Sequence, residues 1–467
     1  MNNIDKNIKK LYKLFGIIFV ILILYLAYIQ FFASGKLHNL ASDPRLKENI
    51  ARRGDIYSAN MKTLAFSRQD ADNPDEWERF YPYSYAIAQL VGYDNLIYGK
   101  SGLEKYLNSY LLFDSRVDSL FKLKRFLKEE AWSGFDCILT IDEKVQLKAY
   151  ELINGKKGAV VAINPKTGEV LALASSPGFN PNKLNSEWQY LIEDKSAPLI
   201  DRCTESVYPP GSTFKVFTLS AALDSASIDE TYSINCPGYY KVGKYTLHEA
   251  HDAAHGRLNY SETLIYSCNI AFADIALTIG PDLFIKYAKR FGITKKVPLE
   301  VPVERAHISR KDTFYSGVLA QSGFGQGEIV ITPLQMAMVV SAVANEGKIM
   351  KPYLLKEVID KNFNKIFVNK SRILYNPIDK NTAETVKNIM VDAVNKGTGT
   401  RAKIQGVSVA GKTGTAENPG GIEHAWFIGF APAEDPEVLV CVIVENGGYG
   451  GVTAAPIARR VLETALR

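Results

Sequence analysis

The longest apolar run lies near the start of the chain. Residues 14–29 (LFGIIFVILILYLAYI) carry no charge over sixteen positions. As a helix the run spans about 24 Å, and Phe31 and Phe32 extend it towards the roughly 30 Å of a hydrocarbon core. Lys6, Lys9, Lys10 and Lys13 precede it, against Asp5 alone. That bias predicts a cytoplasmic tail at 1–13, a transmembrane anchor at 14–32 and a body on the extracytoplasmic side of the cell membrane. The competing reading is a cleaved leader with Ala33-Ser34-Gly35 as its small-residue site. The run is longer than the apolar stretch of such leaders, so an uncleaved anchor is preferred.

Beyond the anchor, residues 33–155 mix short alternating segments with turn-rich pieces such as Gln69–Asp75, and read as a β-rich spacer domain. A strand at Cys137 leads into a helix over Glu143–Ile153, and the turn Asn154-Gly155-Lys156-Lys157 marks the domain boundary. From 156 to 467 the pattern changes. Gly158–Ile163 and Glu169–Ala174 read as a hairpin. Helical periodicity follows over Ser212–Ala226, over 258–290 with a break at Gly280-Pro281, over Thr332–Ala344 and over Ala383–Val394. Val407–Thr415, Ala425–Phe430 and Val438–Val444 read as strands, and Ala454–Leu466 as a closing helix. Strands at both ends with helices between them predict an α+β domain, one antiparallel sheet flanked by helices.

Composition changes this picture little. A net charge of +5 over 467 residues, with no basic patch interleaved with aromatics, argues against nucleic acid as a partner. The basic cluster Lys122–Lys128 reads as a solvated helix face. Five cysteines are too few and too scattered for a disulfide framework. Three of the six histidines, His248, His251 and His255, fall close together.

The candidate chemistry centres on YPPGSTFK, residues 208–215. Two prolines and a glycine end whatever precedes, and Ser212 falls at a helix N-terminus, where free N–H groups favour developing negative charge. Lys215, three residues on, shares its helical face. A serine hydroxyl becomes a nucleophile when a neighbour takes its proton, and a buried neutral lysine can do so. Ser119-Leu120-Phe121-Lys122 has the same spacing inside a charged stretch and is read as chance. Downstream, Ser267-Cys268-Asn269 supplies a second serine as proton relay and an amide to bind substrate. Lys412-Thr413-Gly414, followed by Thr415, supplies charge and hydroxyls for a substrate carboxylate. The backbone N–H groups of Ser212 and Thr415 are candidates for an oxyanion hole. A second Lys-Thr-Gly at Lys166 precedes the serine in a turn and receives no role.

S-x-x-K, S-x-N and K-T-G in this order group together in penicillin-binding proteins and class A β-lactamases. Together with GAVVAINPKTGEVLALAS, GFGQGEIVITPLQMA, AGKTGTAE, AWFIGFAP and VENGGYGG, and with Arg53-Gly54-Asp55-Ile56 in the spacer, the chain resembles class B penicillin-binding proteins over nearly its whole length. It departs at Ser58-Ala59-Asn60-Met61, where that family usually has Asp-Arg-Asn-Gly.

The resemblance implies a penicillin-binding, serine β-lactamase-like transpeptidase fold on a spacer or pedestal, of the compact elongation or spore-cortex type. It also implies a reaction: Ser212 takes an acyl group from the D-Ala-D-Ala end of a peptidoglycan stem peptide and passes it to the amine of a second stem. β-Lactams would acylate the same serine, and a polytopic glycan polymerase would contact the anchor and spacer. A membrane-anchored β-lactamase, a penicillin sensor and a non-catalytic scaffold are the alternatives. No dedicated deacylating glutamate and no signalling region stand out, and every catalytic motif residue is present.

Spacing alone makes Cys236, His248, His255 and Cys268 a loose set, and buried cysteines with an exposed histidine loop would explain them equally well. The resemblance points to zinc, since some class B enzymes place ligands at C-P-G, at H-G and in the middle of S-C-N. Those positions are Cys236, His255 and Cys268 here, with His248 as the fourth and His251 or Asp252 as alternates. Four protein ligands leave no open position, so the expected role is structural.

Overall fold

Every position of Gly158–Ile163 and of Val438–Val444 is buried. Strands apolar on both faces belong inside a sheet, and these two pair antiparallel near the middle of five. The order is 410–416, 424–431, 438–444, 158–163, 170–176, with every pairing antiparallel. On one face Val160, Ala162, Val440 and Val442 pack with Val145, Ala149 and Ile153 of helix Glu143–Ile153 and with Ala454, Ala458 and Val461 of helix Gly450–Ala465. On the other, Val161, Leu439, Cys441 and Ile443 join a core with helices Lys215–Asp224, Asn269–Arg290, Pro333–Ala344 and Lys380–Asn395. All twelve residues of Pro333–Ala344 are buried, and Thr332 and Gln335 close its N-terminus as a capping box. The expected α+β arrangement is present.

This computed structural model describes residues 2–28, 52–69, 77–112, 133–243, 245–250, 253–309, 311–418 and 420–467. The end of the expected anchor at 29–32, the Ser119–Lys122 match, the basic cluster after it, and His251 with Asp252 lie outside the described residues. Helix Asn2–Tyr28 carries the apolar run, with Leu14, Phe15 and Ile17–Tyr25 exposed. Among the described residues no helix is long and apolar enough to cross a membrane.

The expected boundary near 155 is not a clean cut. The spacer's sheet has the order 365–368, 355–359, 136–139, 56–57, 63–69, 77–80, so its first two strands come from far beyond the boundary. Hairpin 355–368 adds to Asp136–Leu139 through Val358 opposite Cys137 and Ile359 opposite Asp136. Spacer and catalytic body thus share a sheet, and Thr140 donates to both Val170 O and Tyr353 O across the junction. Inside the spacer, fully buried Glu104 accepts from Arg53 Nε and Arg79 Nε, each at 2.6 Å. The turn that departs from the family pattern leaves Met61 at φ 59, a left-handed conformation where the family's glycine would sit without strain.

Candidate active site

Tyr208 exchanges two backbone hydrogen bonds with Ile331, which anchors the loop before the nucleophile. Pro209 and Pro210 then lead into a 3₁₀ turn, Gly211–Phe214, and the α-helix begins only at Lys215. The expected helix from Ser212 is therefore shorter and starts tighter. In a 3₁₀ turn residues three apart eclipse, which sets Ser212 and Lys215 on one side. Gly211 N donates to Gly325 O at 2.9 Å. A Cβ on Gly325, whose φ is +77, would lie 2.1 Å from Gly211 O, so only glycine lets that loop clamp the nucleophile turn.

Lys215 is fully buried. Its Nζ donates to Ser267 O and Asn269 Oδ1, both at 2.6 Å, and to Ser267 Oγ at 3.2 Å. Burial lowers its pKa from 10.5 to about 8, against the opposing pull of Glu249 and Cys268. Lys412, also fully buried, donates to Ser267 Oγ at 2.7 Å and to Thr413 O at 2.9 Å. Burial, then the neighbouring charge of Lys215, holds its ammonium well below the ordinary lysine range. The Ser267 hydroxyl thus bridges two lysines that disfavour each other's charge, the setting for a proton relay. Ser267 itself has φ 63. That costs roughly 1–2 kcal/mol for a residue with a Cβ, and the lysine hydrogen bonds to its oxygens offset it.

Helix Asn269–Arg290 starts directly after, with Cys268 Sγ as its cap, accepting from Ala271 N at 3.3 Å. The expected helix over 258–290 is broken before this point. Gly256–Asn259 pairs as a strand with Ser233–Cys236, and Asn259 then caps a short helix, Tyr260–Ile265. Strand Ala410–Ala416, carrying Lys412, Thr413, Gly414 and Thr415, is an edge strand of the central sheet. Gly414 lets the nucleophile loop lie against it, since a Cβ there would meet Thr213 Cγ2 at 2.9 Å. Ser212, Ser267, Asn269, Thr413 and Thr415 line one cleft of about 670 Å³. That volume admits extended peptide beside an open strand edge.

The structure places two other candidates away from the chemistry. Lys166 of the second Lys-Thr-Gly forms an ion pair with Asp435 in its turn. His424 is half-buried at a strand start, edge-on to Tyr208 at 5.7 Å, and its Nδ1 accepts from Asn446 N at 3.1 Å.

The metal set needs one correction. Cys236, Glu249, His255 and Cys268 bring their donor atoms within 4.8 Å of one another, and His248 is not among them. His248 ends strand Tyr245–His248, opposite Tyr239, and lines the cleft. Successive side chains along an extended segment point to opposite sides; the neighbour Glu249, buried and also at the cleft wall, is the one whose carboxylate reaches the cysteines. Glu249 Oε2 also accepts from Asn269 N at 2.7 Å and Ile270 N at 3.3 Å, tying the cluster to the helix that carries Asn269. Two thiols, one imidazole and one carboxylate are a donor set that suits zinc. Burial and then the Glu249 carboxylate push the Cys268 thiol up, a conflict that a bound cation would resolve. The sequence reading also missed Thr398, Glu417, Glu423 and Tyr449 in the cleft lining. Each comes from a loop or helix start whose position only the fold supplies.

Comparison with known proteins agrees with this geometry. Residues 158–463 match the penicillin binding protein transpeptidase domain, and residues 53–134 match the penicillin binding protein A dimerisation domain. The chain is 33% identical to the peptidoglycan D,D-transpeptidase PbpA of Mycolicibacterium smegmatis, covering 92% of this chain and 93% of that protein. It is 30% identical to the D,D-transpeptidase MrdA of Acinetobacter baumannii, over 82% and 65%. Among solved structures, penicillin-binding protein A from M. tuberculosis as its imipenem acyl-enzyme superposes with a TM-score of 0.85 at 31% identity, covering 90% of this chain and all of that one. Its penicillin G acyl-enzyme gives 0.83. A domain match across two thirds of the chain, joined by relatives matched nearly end to end, establishes that this chain belongs to the penicillin-binding protein transpeptidases.

Proposed function

We propose that this protein is a peptidoglycan D,D-transpeptidase working through an acyl-enzyme on Ser212. The observation that carries the reading is the Ser267 hydroxyl held between Lys215 and Lys412 in the cleft that Ser212 lines. A stem peptide ending in D-Ala-D-Ala adds along the edge strand Ala410–Ala416. Ser212 Oγ attacks the penultimate D-Ala carbonyl while Lys215, in its neutral form, takes the hydroxyl proton. The developing oxyanion faces the backbone N–H groups of Ser212 and Thr415. The proton passes by way of Ser267 to the departing D-Ala nitrogen, the C–N bond breaks and an ester to Ser212 remains. The amine of a second stem then attacks the ester, gives up its proton along the same relay, and leaves the cross-link. A β-lactam enters the same path and stays as a stable ester because its leaving group remains tethered.

Cys236, Glu249, His255 and Cys268 would hold zinc, which supplies a structural pin for the segment that aims Ser267 and Asn269. The apolar stretch of the sequence at 14–32 serves in this reading as a single-pass anchor in the cell membrane, with the body on the extracytoplasmic side. The polytopic glycan polymerase at the anchor and spacer rests on the family resemblance.

Intact-mass kinetics of the full chain with penicillin, beside Ser212→Ala, tests the enzymatic reading. A single long-lived adduct on the wild type and none on the variant is expected. An adduct that disappears with antibiotic turnover would make the protein a β-lactamase, and no adduct would make it a scaffold.

A further inference from the structure

We infer that Thr398 is a positioning residue for the carboxylate that ends the donor peptide, acting through the hydroxyl of Thr413. The inference rests on the transpeptidase reading and goes further, to how the cleft selects a free C-terminus.

Thr398 lies in the turn after helix Lys380–Asn395, exposed on the cleft wall. Its Oγ1 is 2.7 Å from Thr413 Oγ1. Among the described residues this is the one hydrogen bond of the Thr413 hydroxyl. A hydroxyl has one proton to donate, and a carboxylate only accepts. If Thr413 gave its proton to Thr398, it would turn a lone pair towards the anion. The arrangement that binds a carboxylate runs the other way, with Thr398 donating to Thr413 and Thr413 donating to the ligand. Successive donations in one direction also strengthen each other.

The surroundings fit that direction. Lys412 Nζ already donates to Ser267 Oγ and Thr413 O, two of the three donors an ammonium has, so hydroxyls share the direct contact with the anion. Thr415 Oγ1 accepts from Gly450 N at 3.4 Å, which leaves its own proton for the same ligand. The first turn of helix Gly450–Ala465 presses on the pair, since a Cβ on Gly451 would lie 2.9 Å from Thr398 O and 3.7 Å from Thr413 Cγ2. The positive end of that helix therefore stands beside the two hydroxyls.

The test is the second-order acylation rate of the full chain with benzylpenicillin and with its methyl ester, which lacks the anion. Thr398→Val keeps the shape and removes the donor; Thr398→Ser restores it. Thr398→Val is expected to slow acylation by the acid by up to about tenfold, the upper end of the scale for one neutral hydrogen bond. The ester rate should stay unchanged, and Thr398→Ser should recover the acid rate. A merely structural stitch would slow acid and ester alike, and that result would overturn the inference. So would an unchanged acid rate in Thr398→Val, or a serine variant that behaves like valine. A wild type acylated by neither compound would overturn the transpeptidase reading and this inference with it.

Discussion

Lys412 reaches the Ser267 hydroxyl at 2.7 Å, closer than Lys215 does at 3.2 Å, although 145 residues separate Lys412 from that serine. One hydroxyl joins a lysine that follows the nucleophile to a lysine on the edge strand, and the two buried ammonium groups cannot both stay charged without mutual cost.

That arrangement predicts the pH profile of acylation. Burial brings Lys215 from 10.5 down to about 8. Below that value it holds a proton and cannot accept one from Ser212; above it the neutral amine can. The acylation rate with a fixed β-lactam should therefore climb as pH rises towards 8 and level off beyond. Lys215→Arg stays protonated throughout and should lose about 10²–10⁴-fold in rate at every pH. A flat profile in the wild type would remove Lys215 as the base.

The metal reading separates two adjacent residues. Glu249→Gln should lower zinc content and melting temperature together, because it removes a ligand and weakens the acceptor for Asn269 N and Ile270 N. His248→Ala should leave zinc content unchanged, since His248 stands outside the cluster. A strong chelator should lower both the melting temperature and the acylation rate of the wild type. Elemental analysis, thermal melts and acylation kinetics of the purified proteins check these outcomes, and a metal-free wild type with normal acylation would end the zinc proposal.

These residues also mark how far the sequence could be read. Ser212 with Lys215, and Ser267 with Asn269, are legible because catalytic partners sit within one turn or one short segment, where spacing fixes proximity. Val438–Val444 is legible because a strand buried on both faces is continuously apolar. The hairpin at 355–368 is not, since its pairing with Asp136–Leu139 joins segments more than 200 residues apart and leaves no local pattern. Glu249 was missed beside His248 because choosing between neighbours requires the side each faces. Thr398 was missed because its partner lies on a strand whose position depends on the whole fold.

The spacer has one interaction whose loss should be severe. Glu104 is fully buried between Arg53 and Arg79. Burial alone would raise its pKa, and the two guanidinium groups overcome that and hold the carboxyl below its usual 4.5. Glu104→Ala leaves buried Arg79 without its carboxylate and Arg53 with only Asp94, at 3.3 Å, and should cost about 3–5 kcal/mol, read as a fall in melting temperature. Because the folded pKa is depressed, this contribution is present above about 4.5 and is lost as pH falls through the lower folded value. The wild type should therefore lose stability on acidification more steeply than Glu104→Gln.

The opposite effect is expected at Met61. Its φ of 59 places a Cβ-bearing residue in the left-handed region, at a turn closed by Met61 N donating to Ser58 O at 3.0 Å and Ser58 N donating to Lys62 O at 2.9 Å. Those bonds, with Ser58 Oγ accepting from Lys62 N at 2.9 Å, hold the turn in place, so the residue cannot relax into a commoner conformation. A left-handed residue other than glycine costs roughly 1–2 kcal/mol. Glycine removes that strain and returns about 0.5–1 kcal/mol through its freer unfolded chain. The side chain is 45% exposed, so little packing is lost with it. Met61→Gly should thus stabilise the protein by about 0.5–1 kcal/mol, a rise in melting temperature of about 1–3 °C. Met61→Ala keeps the Cβ and with it the strain, and should give no such rise. Equal melting temperatures for the glycine and alanine variants would show that the turn stores no strain at this position.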